Sequence, residues 1–136
     1  MKNEQKKPVI WIINNQHWPR ALLRAELIER GFDAVGYINI AHALWAYRHP
    51  LIEKPNMIVL ELRDLTLKRN ELELLFQIGV PIIALGGTAE FNERLIGEFT
   101  WTAMMRRPFT IGAIADVVEE CMQGRIRKNN EQQDTD

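Results

Sequence analysis

Pro55-Asn56-Met57-Ile58-Val59-Leu60-Glu61-Leu62 sets four consecutive apolar residues against a single carboxylate. A short run that is apolar at every position, rather than at alternate ones, marks a strand covered on both faces, as in a parallel sheet packed between helices. The same reading fits Val9-Ile-Trp-Ile-Ile13 and Pro81-Ile-Ile-Ala-Leu85, and more weakly Trp101-Thr-Ala-Met-Met105. Polar or small residues close each run: Asn14-Asn15, Glu61, Gly86-Gly87 and Arg106-Arg107. Open α/β sheets place their sites at these carboxyl ends of strands.

Between the runs the apolar period changes. Residues 19–30 interleave Leu22, Leu23, Ala25, Leu27 and Ile28 with Arg20, Arg24, Glu26 and Glu29. This is an amphipathic helix, with Pro19 suited to its first turn and Gly31 to its C-terminal cap. Residues 32–38 are expected as a second strand, and residues 41–49 as a short helix stopped by Pro50. Further strands are expected over 57–62, 80–85 and 101–105, with Gly86-Gly87 breaking the fourth. Helices are expected over 68–77, 91–99 and Ile111–Met122, the last with Thr110 as N-cap. Strands alternating with helices and joined by short right-handed crossovers give an open, doubly wound five-stranded parallel sheet with helices on both faces. The commonest order for five strands is 2-1-3-4-5, which puts the ends of the first and third strands at the switch point.

The chain has 136 residues, 46% of them hydrophobic, enough for one domain with a full core. A net charge of -1 gives no sign of a nucleic-acid partner. A single cysteine, Cys121, excludes an internal disulfide and suits a reducing compartment. No apolar stretch approaches the roughly 20 residues of a membrane span, and residues 1–7 are charged with no signal-peptide core behind them. A cytoplasmic protein without membrane partners is expected, built as one domain over 8–122 between disordered polar ends at 1–7 and 123–136.

From about Pro8 to Met122 the chain resembles the receiver domain of two-component response regulators, in degenerate form. Ile13-Asn14-Asn15 stands where that family has a hydrophobic residue and an acidic pair. Pro55 to Leu62 resembles the strand that ends in the phosphoacceptor aspartate, with Glu61 at that position. Pro81 to Gly87 resembles the strand ending in Thr or Ser, with Gly86 in that place, and Arg107-Pro108-Phe109 resembles the Lys-Pro-Phe signature. The aromatic switch position falls on Met104. The resemblance implies a flavodoxin-like fold, and it implies that every chemical position has been replaced while the scaffold is kept.

In the family, three carboxylates gather around one Mg²⁺, and the lysine and hydroxyl hold the phosphoryl group. Mg²⁺ binds through carboxylates and waters in strict octahedral geometry. Here the corresponding set offers Glu61 and two neutral amides beside Arg107. Counting ionised groups as units, the local charge falls from about minus two to about zero. Phosphoryl transfer depends on positioning and electrostatic stabilisation, so losing the metal removes most of the catalysis. Gly86 has no hydroxyl, and Glu61 reaches over ~1 Å further than Asp. The expectation is therefore weak or absent Mg²⁺ binding, no cofactor, no metal site and no catalytic residue. Two readings of the vestigial pocket stand open: Glu61 as a permanent mimic of phosphorylated Asp, or Glu61 and Arg107 as a structural ion pair with Asn14 and Asn15 filling the remaining hydrogen bonds.

Other residues have plain structural readings. His17 and Trp18 are expected in the loop after the first strand, where a lone His is ordinarily neither sensor nor ligand. His42, His49 and Cys121 lack metal-ligand spacing. Asp64, three residues past Glu61, is expected as a solvated loop carboxylate. Gly86-Gly87-Thr88 is a weak candidate for an anion cradle. Trp11, Trp45 and Trp101 are expected as buried or half-buried packing. Arg106-Arg107 and Arg125-Ile-Arg127-Lys128 are too small for a nucleic-acid surface.

Receivers commonly dimerise or contact effectors through the face made by the fourth helix, fifth strand and last helix. Phe91, Leu95, Phe99, Trp101 and Met104 form the corresponding candidate interface, for a histidine kinase, an effector or a second copy of the chain. Packing of the same residues against the sheet is the competing reading. The leading functional expectation is an atypical receiver that signals by protein–protein contact, independent of Asp phosphorylation and not an enzyme. Alternatives are residual phosphorelay input, an anion- or nucleotide-binding flavodoxin-like module, and an enzyme, for which no nucleophile–base pair is visible.

Overall fold

Five parallel strands, β1 (Val9–Ile13), β2 (Asp33–Tyr37), β3 (Met57–Glu61), β4 (Ile82–Gly86) and β5 (Ala103–Arg106), form one sheet of order β2-β1-β3-β4-β5. The helices are α1 (His17–Glu29), α2 (Ile40–Arg48), α3 (Arg69–Gln77), α4 (Thr88–Phe91), α5 (Arg94–Gly97) and α6 (Ile111–Met122). This computed structural model describes residues 6–124, so most of the termini expected to be disordered lie outside the described residues.

Alternation along the strands divides the core in two. Trp11, Ile13, Ile58, Leu60, Ile82 and Ala84 meet α2, α3 and α5 on one face. Ile10, Ile12, Val59, Ile83 and Leu85 meet α1 and α6 on the other. Each large side chain buried this way contributes about 1.5–3 kcal/mol, which is why β1, β3 and β4, buried at all five positions, read so plainly as strands.

The expected ends of α1 and α6 are present. Gly31 has φ +97, and the Gly31 and Phe32 amides donate to the Ile28 and Leu27 carbonyls at 3.1 Å each. These two bonds make the Schellman stop that glycine permits. Thr110 Oγ1 accepts from the Ala113 amide at 3.0 Å.

Four details differ from the sequence reading. The single helix expected over 91–99 is two short ones, because Glu93 takes an extended conformation (φ -69, ψ 133) between them. That break resets the helical phase and buries Ile96 completely, while the Trp101 indole takes the Ile96 carbonyl at 2.9 Å. His17 and Trp18 belong to the first turn of α1 rather than to a loop, since Asn14 Oδ1 accepts from the Gln16 amide and turns the chain into the helix directly. Gly86 ends β4 instead of breaking it, held by the Arg107 amide donating to its carbonyl at 2.8 Å. Trp45 is 56% exposed; it lies between His42 and His49 on the outer side of α2, with ring centroids 6.2 and 5.4 Å away.

Candidate functional site

Register assembles the pocket. Ile13 pairs with Leu60 across β1 and β3, Glu61 with Leu85 across β3 and β4, and Gly86 with Arg106 across β4 and β5. One residue beyond these pairs the chain supplies Asn14 on one side and Arg107 on the other. The sequence-named residues Asn14, Glu61, Gly86 and Arg107 therefore meet at the carboxyl end of the sheet, as the strand order requires.

Their centre is an ion pair. Arg107 Nη1 and Nη2 donate to Glu61 Oε1 and Oε2, both at 2.9 Å. Such fork-to-fork geometry is the strongest form of charge-assisted hydrogen bond. Glu61 is 6% exposed, and the Arg63 amide donates to Oε2 at 2.9 Å. Hydrogen bonding to Glu61 holds the Arg107 guanidinium above its ordinary pKa, against the opposing effect of burial. Arg107 also lies 5.3 Å from the Phe109 ring centroid. The peptide bond between Arg107 and Pro108 is cis.

Glu90 is a member of the site that sequence reasoning missed. Its Oε1 accepts from the Gly87 amide and lies 3.8 Å from Arg107 Nη2. A glutamate three residues after a helix cap is a legible local signal for the first contact; nothing local signals the second. Since the Gly87 amide is already committed to Glu90, the proposed anion cradle at Gly86-Gly87-Thr88 starts with a filled donor, and α4 behind it is only four residues long.

The two asparagines part company. Asn14 is buried, and its Oδ1 is taken by the Gln16 amide at 2.9 Å. Asn15 is exposed and turns away, its Nδ2 donating to the Asp64 carbonyl at 2.7 Å. Asp64 is an exposed loop residue with φ +60, and its carboxylate accepts from Gln16 Nε2 at 2.9 Å. Among the described residues no group of three or more His, Cys, Asp or Glu side chains could hold a metal. Of the two carboxylates beside Arg107, Glu61 has both oxygens bonded to it and Glu90 Oε1 is taken by the Gly87 amide. This donor set does not fit an octahedral, carboxylate-rich Mg²⁺ site.

Where a hydroxyl would be needed, space is short. A Cβ built on Gly86 would lie 3.3 Å from Glu90 Cβ, 3.4 Å from Phe91 Cζ and 3.5 Å from Leu62 Cδ1. A side chain at 86 would thus be tight against Glu90 and in ordinary contact with Phe91 and Leu62.

The candidate interface resolves largely into packing. Phe91, Leu95, Phe99 and Trp101 are partly buried against the core beneath α3 and α5. Phe76 stacks on Phe99 with centroids 4.9 Å apart and meets Trp101 edge-on at 5.0 Å. Of the five, only Met104 is exposed, at 51%. Larger exposed apolar side chains lie on and beside the elements flanking β2: Trp18 (70%), Leu22, Trp45 and Leu51. Cys121 is half-buried, and burial, with the nearby Glu120 carboxylate, raises its thiol pKa.

No protein-family model matches the sequence, and no curated protein matches it. Solved structures do. The response regulator receiver protein from Pseudomonas putida superposes with a TM-score of 0.69 at 18% identity, over 86% of this chain and 99% of that one. The chemotaxis response regulator CheY4 of Vibrio cholerae gives 0.69 at 11% identity, over 85% and 98%. The N-terminal domain of a response regulator/sensory box/GGDEF protein from Carboxydothermus hydrogenoformans gives 0.70 at 14%, over 91% and 98%. The fold is that of the response-regulator receiver domain. No described helix is long and apolar enough to cross a membrane.

Proposed function

We propose that this chain is a receiver-like signalling module that works by protein contact, without phosphorylation of an aspartate, without Mg²⁺ and without catalysis. The carrying observation is the Glu61–Arg107 pair: the side chain at the phosphoacceptor position is longer than Asp, buried, and bonded through both oxygens to the residue at the lysine position. A carboxylate engaged this way is neither a free nucleophile nor a free metal ligand. In this reading the pair fixes permanently the geometry that other receivers acquire by a reversible modification, and the partner, a kinase, an effector or a second copy, reads that fixed surface in the cytoplasm. Exposed large apolar side chains such as Trp18, Leu22, Trp45 and Met104 support a contact function.

The test is a titration with Mg²⁺ and beryllofluoride, followed by tryptophan fluorescence and by ¹⁹F NMR. No saturable change is expected for the natural sequence. Saturable binding that disappears in Glu61→Gln would sink the proposal. The triple variant Asn14→Asp, Asn15→Asp, Glu61→Asp restores three carboxylates and is expected to gain measurable Mg²⁺ affinity, which fixes the alignment of the pocket with that of phosphorylatable receivers.

A further inference from the structure

Between α1, α6 and the carboxyl ends of β1, β3 and β4 lies a cavity of about 200 Å³. Its walls are apolar: Ile12, Leu23, Val59, Leu85, Ile111 and Ile114. Polar side chains stand at one end, among them Asn14, Glu61 and Arg107. Concave apolar space with a few convergent polar groups is the general form of a small-molecule site. A 150 Å³ apolar cavity already accepts benzene, so this one has room for a single ring with a small substituent.

The polar end carries unused hydrogen-bonding capacity. Asn14 is 6% exposed. Its orientation is fixed because its Oδ1 must face the Gln16 amide. Its Nδ2 donates to no described residue but is open to solvent, since the one fully buried side-chain polar atom without a partner among the described residues is Trp11 Nε1. Glu61 Oε1 receives one bond from Arg107, and a carboxylate oxygen has a second acceptor position. One wall therefore offers a donor and an acceptor beside an apolar chamber. The formal charges of Glu61 and Arg107 cancel, and the third charged lining residue, Arg63, is exposed to solvent that screens it, so little net field is left to offset the desolvation of an ion.

We propose that this cavity is a binding site for a small neutral molecule: one apolar ring bearing a group that both accepts and donates a hydrogen bond, of the carboxamide type. Its carbonyl meets Asn14 Nδ2, its N–H meets Glu61 Oε1, and its ring lies among Leu23, Val59 and Ile114. Such a ligand touches α1, α6 and the end of β3 at once, and supplies an input at the position where phosphorylation has been lost. The proposal stands on the cavity and its unpaired donor, and does not depend on what partner the module contacts.

The experiment is methyl-resolved NMR of the full chain titrated with benzamide, and in parallel with benzoate and benzylammonium. Benzamide is expected to give saturable shifts at the Ile12, Leu23, Val59, Leu85 and Ile114 methyls, with affinity at least tenfold above that of either ion. Leu23→Phe, which fills the chamber, is expected to abolish those shifts. Asn14→Asp, which keeps the Oδ1 acceptor for the Gln16 amide and removes the Nδ2 donor, is expected to lower benzamide affinity about tenfold. Absence of saturable benzamide shifts in the natural chain overturns the site, as do shifts unchanged by Leu23→Phe. An ion that binds as well as benzamide overturns the assignment to a neutral ligand. The beryllofluoride titration is unaffected by any of these results, so the two proposals fail separately.

Discussion

Two arginines hold this molecule together by the same chemistry in opposite surroundings. Arg107 grips the Glu61 carboxylate bidentately, with Glu90 further off at 3.8 Å, at a place where Glu61 is only 6% exposed. Arg30 bridges α1 to α6 by reaching Glu26, Asp116 and Glu119 at 2.8, 2.7 and 3.1 Å. The side chains of Asp116 and Glu119 are 65% and 38% exposed. Hydrogen bonds to Asp116 and Glu26 raise the Arg30 pKa far above its ordinary value, yet water competes for every contact and screens the charges. Counting bonds ranks Arg30 first, and the two arginines are themselves similarly shielded, at 22% and 27% exposed; the exposure of their partner carboxylates ranks Arg107 first. Exposure decides, because removing one member of a buried pair strands the other without water.

That ranking can be broken by measurement. Glu61→Ala should have the largest effect, a loss of about 3 kcal/mol in urea unfolding, since Arg107 is left partly buried with only the Glu90 carboxylate, 3.8 Å away, to face. The double change Glu61→Met, Arg107→Met should recover most of it, because apolar residues of similar volume avoid the desolvation cost altogether. A double variant no better than the single one would mean that the pair itself, rather than the stranded charge, carries the stability.

Gly86→Thr should come next, at about 1–3 kcal/mol, the usual scale for overpacking a closed space. Its cost should fall if Phe91 is first shortened to Leu, since Phe91 Cζ is among the atoms a Cβ would meet. Arg30→Ala should be the smallest of the three and should vanish in molar salt, whereas the Glu61→Ala loss should persist there. A salt-insensitive loss at Arg30 would show that the α1–α6 clasp is drier than its exposed acceptors indicate.

The sequence made the sheet legible because the central strands are apolar throughout. β1 falls on the expected residues, and the other strand ends lie within two residues of expectation. The caps at Gly31 and Thr110 were legible for the same reason: their chemistry is local. The α4–α5 break was not, because it is set by Ile96 seeking the core and by Trp101 taking a carbonyl from five residues away. Trp45 on the solvent side of α2 was equally hidden, since composition does not distinguish a tryptophan that packs from one that is displayed. At the site, Asn14, Glu61, Gly86 and Arg107 could be named from strand ends and resemblance. The approach of Glu90 to Arg107, the turned-away Asn15 and the cavity under the pair are products of tertiary approach, and no spacing in the chain announces them.

Gly86 also ties its neighbours together. Glu90 and Phe91 border the room a side chain would need there, and Glu90 is in turn positioned by the Gly87 amide and Arg107. A side chain at 86 asks Glu90, 3.3 Å from the added Cβ, to give by a few tenths of an ångström, while Phe91 and Leu62 would be met at 3.4 and 3.5 Å, ordinary contact. Positions 86, 90 and 91 are therefore coupled: what a side chain at 86 costs depends on which residues stand opposite it, so their changes do not add independently.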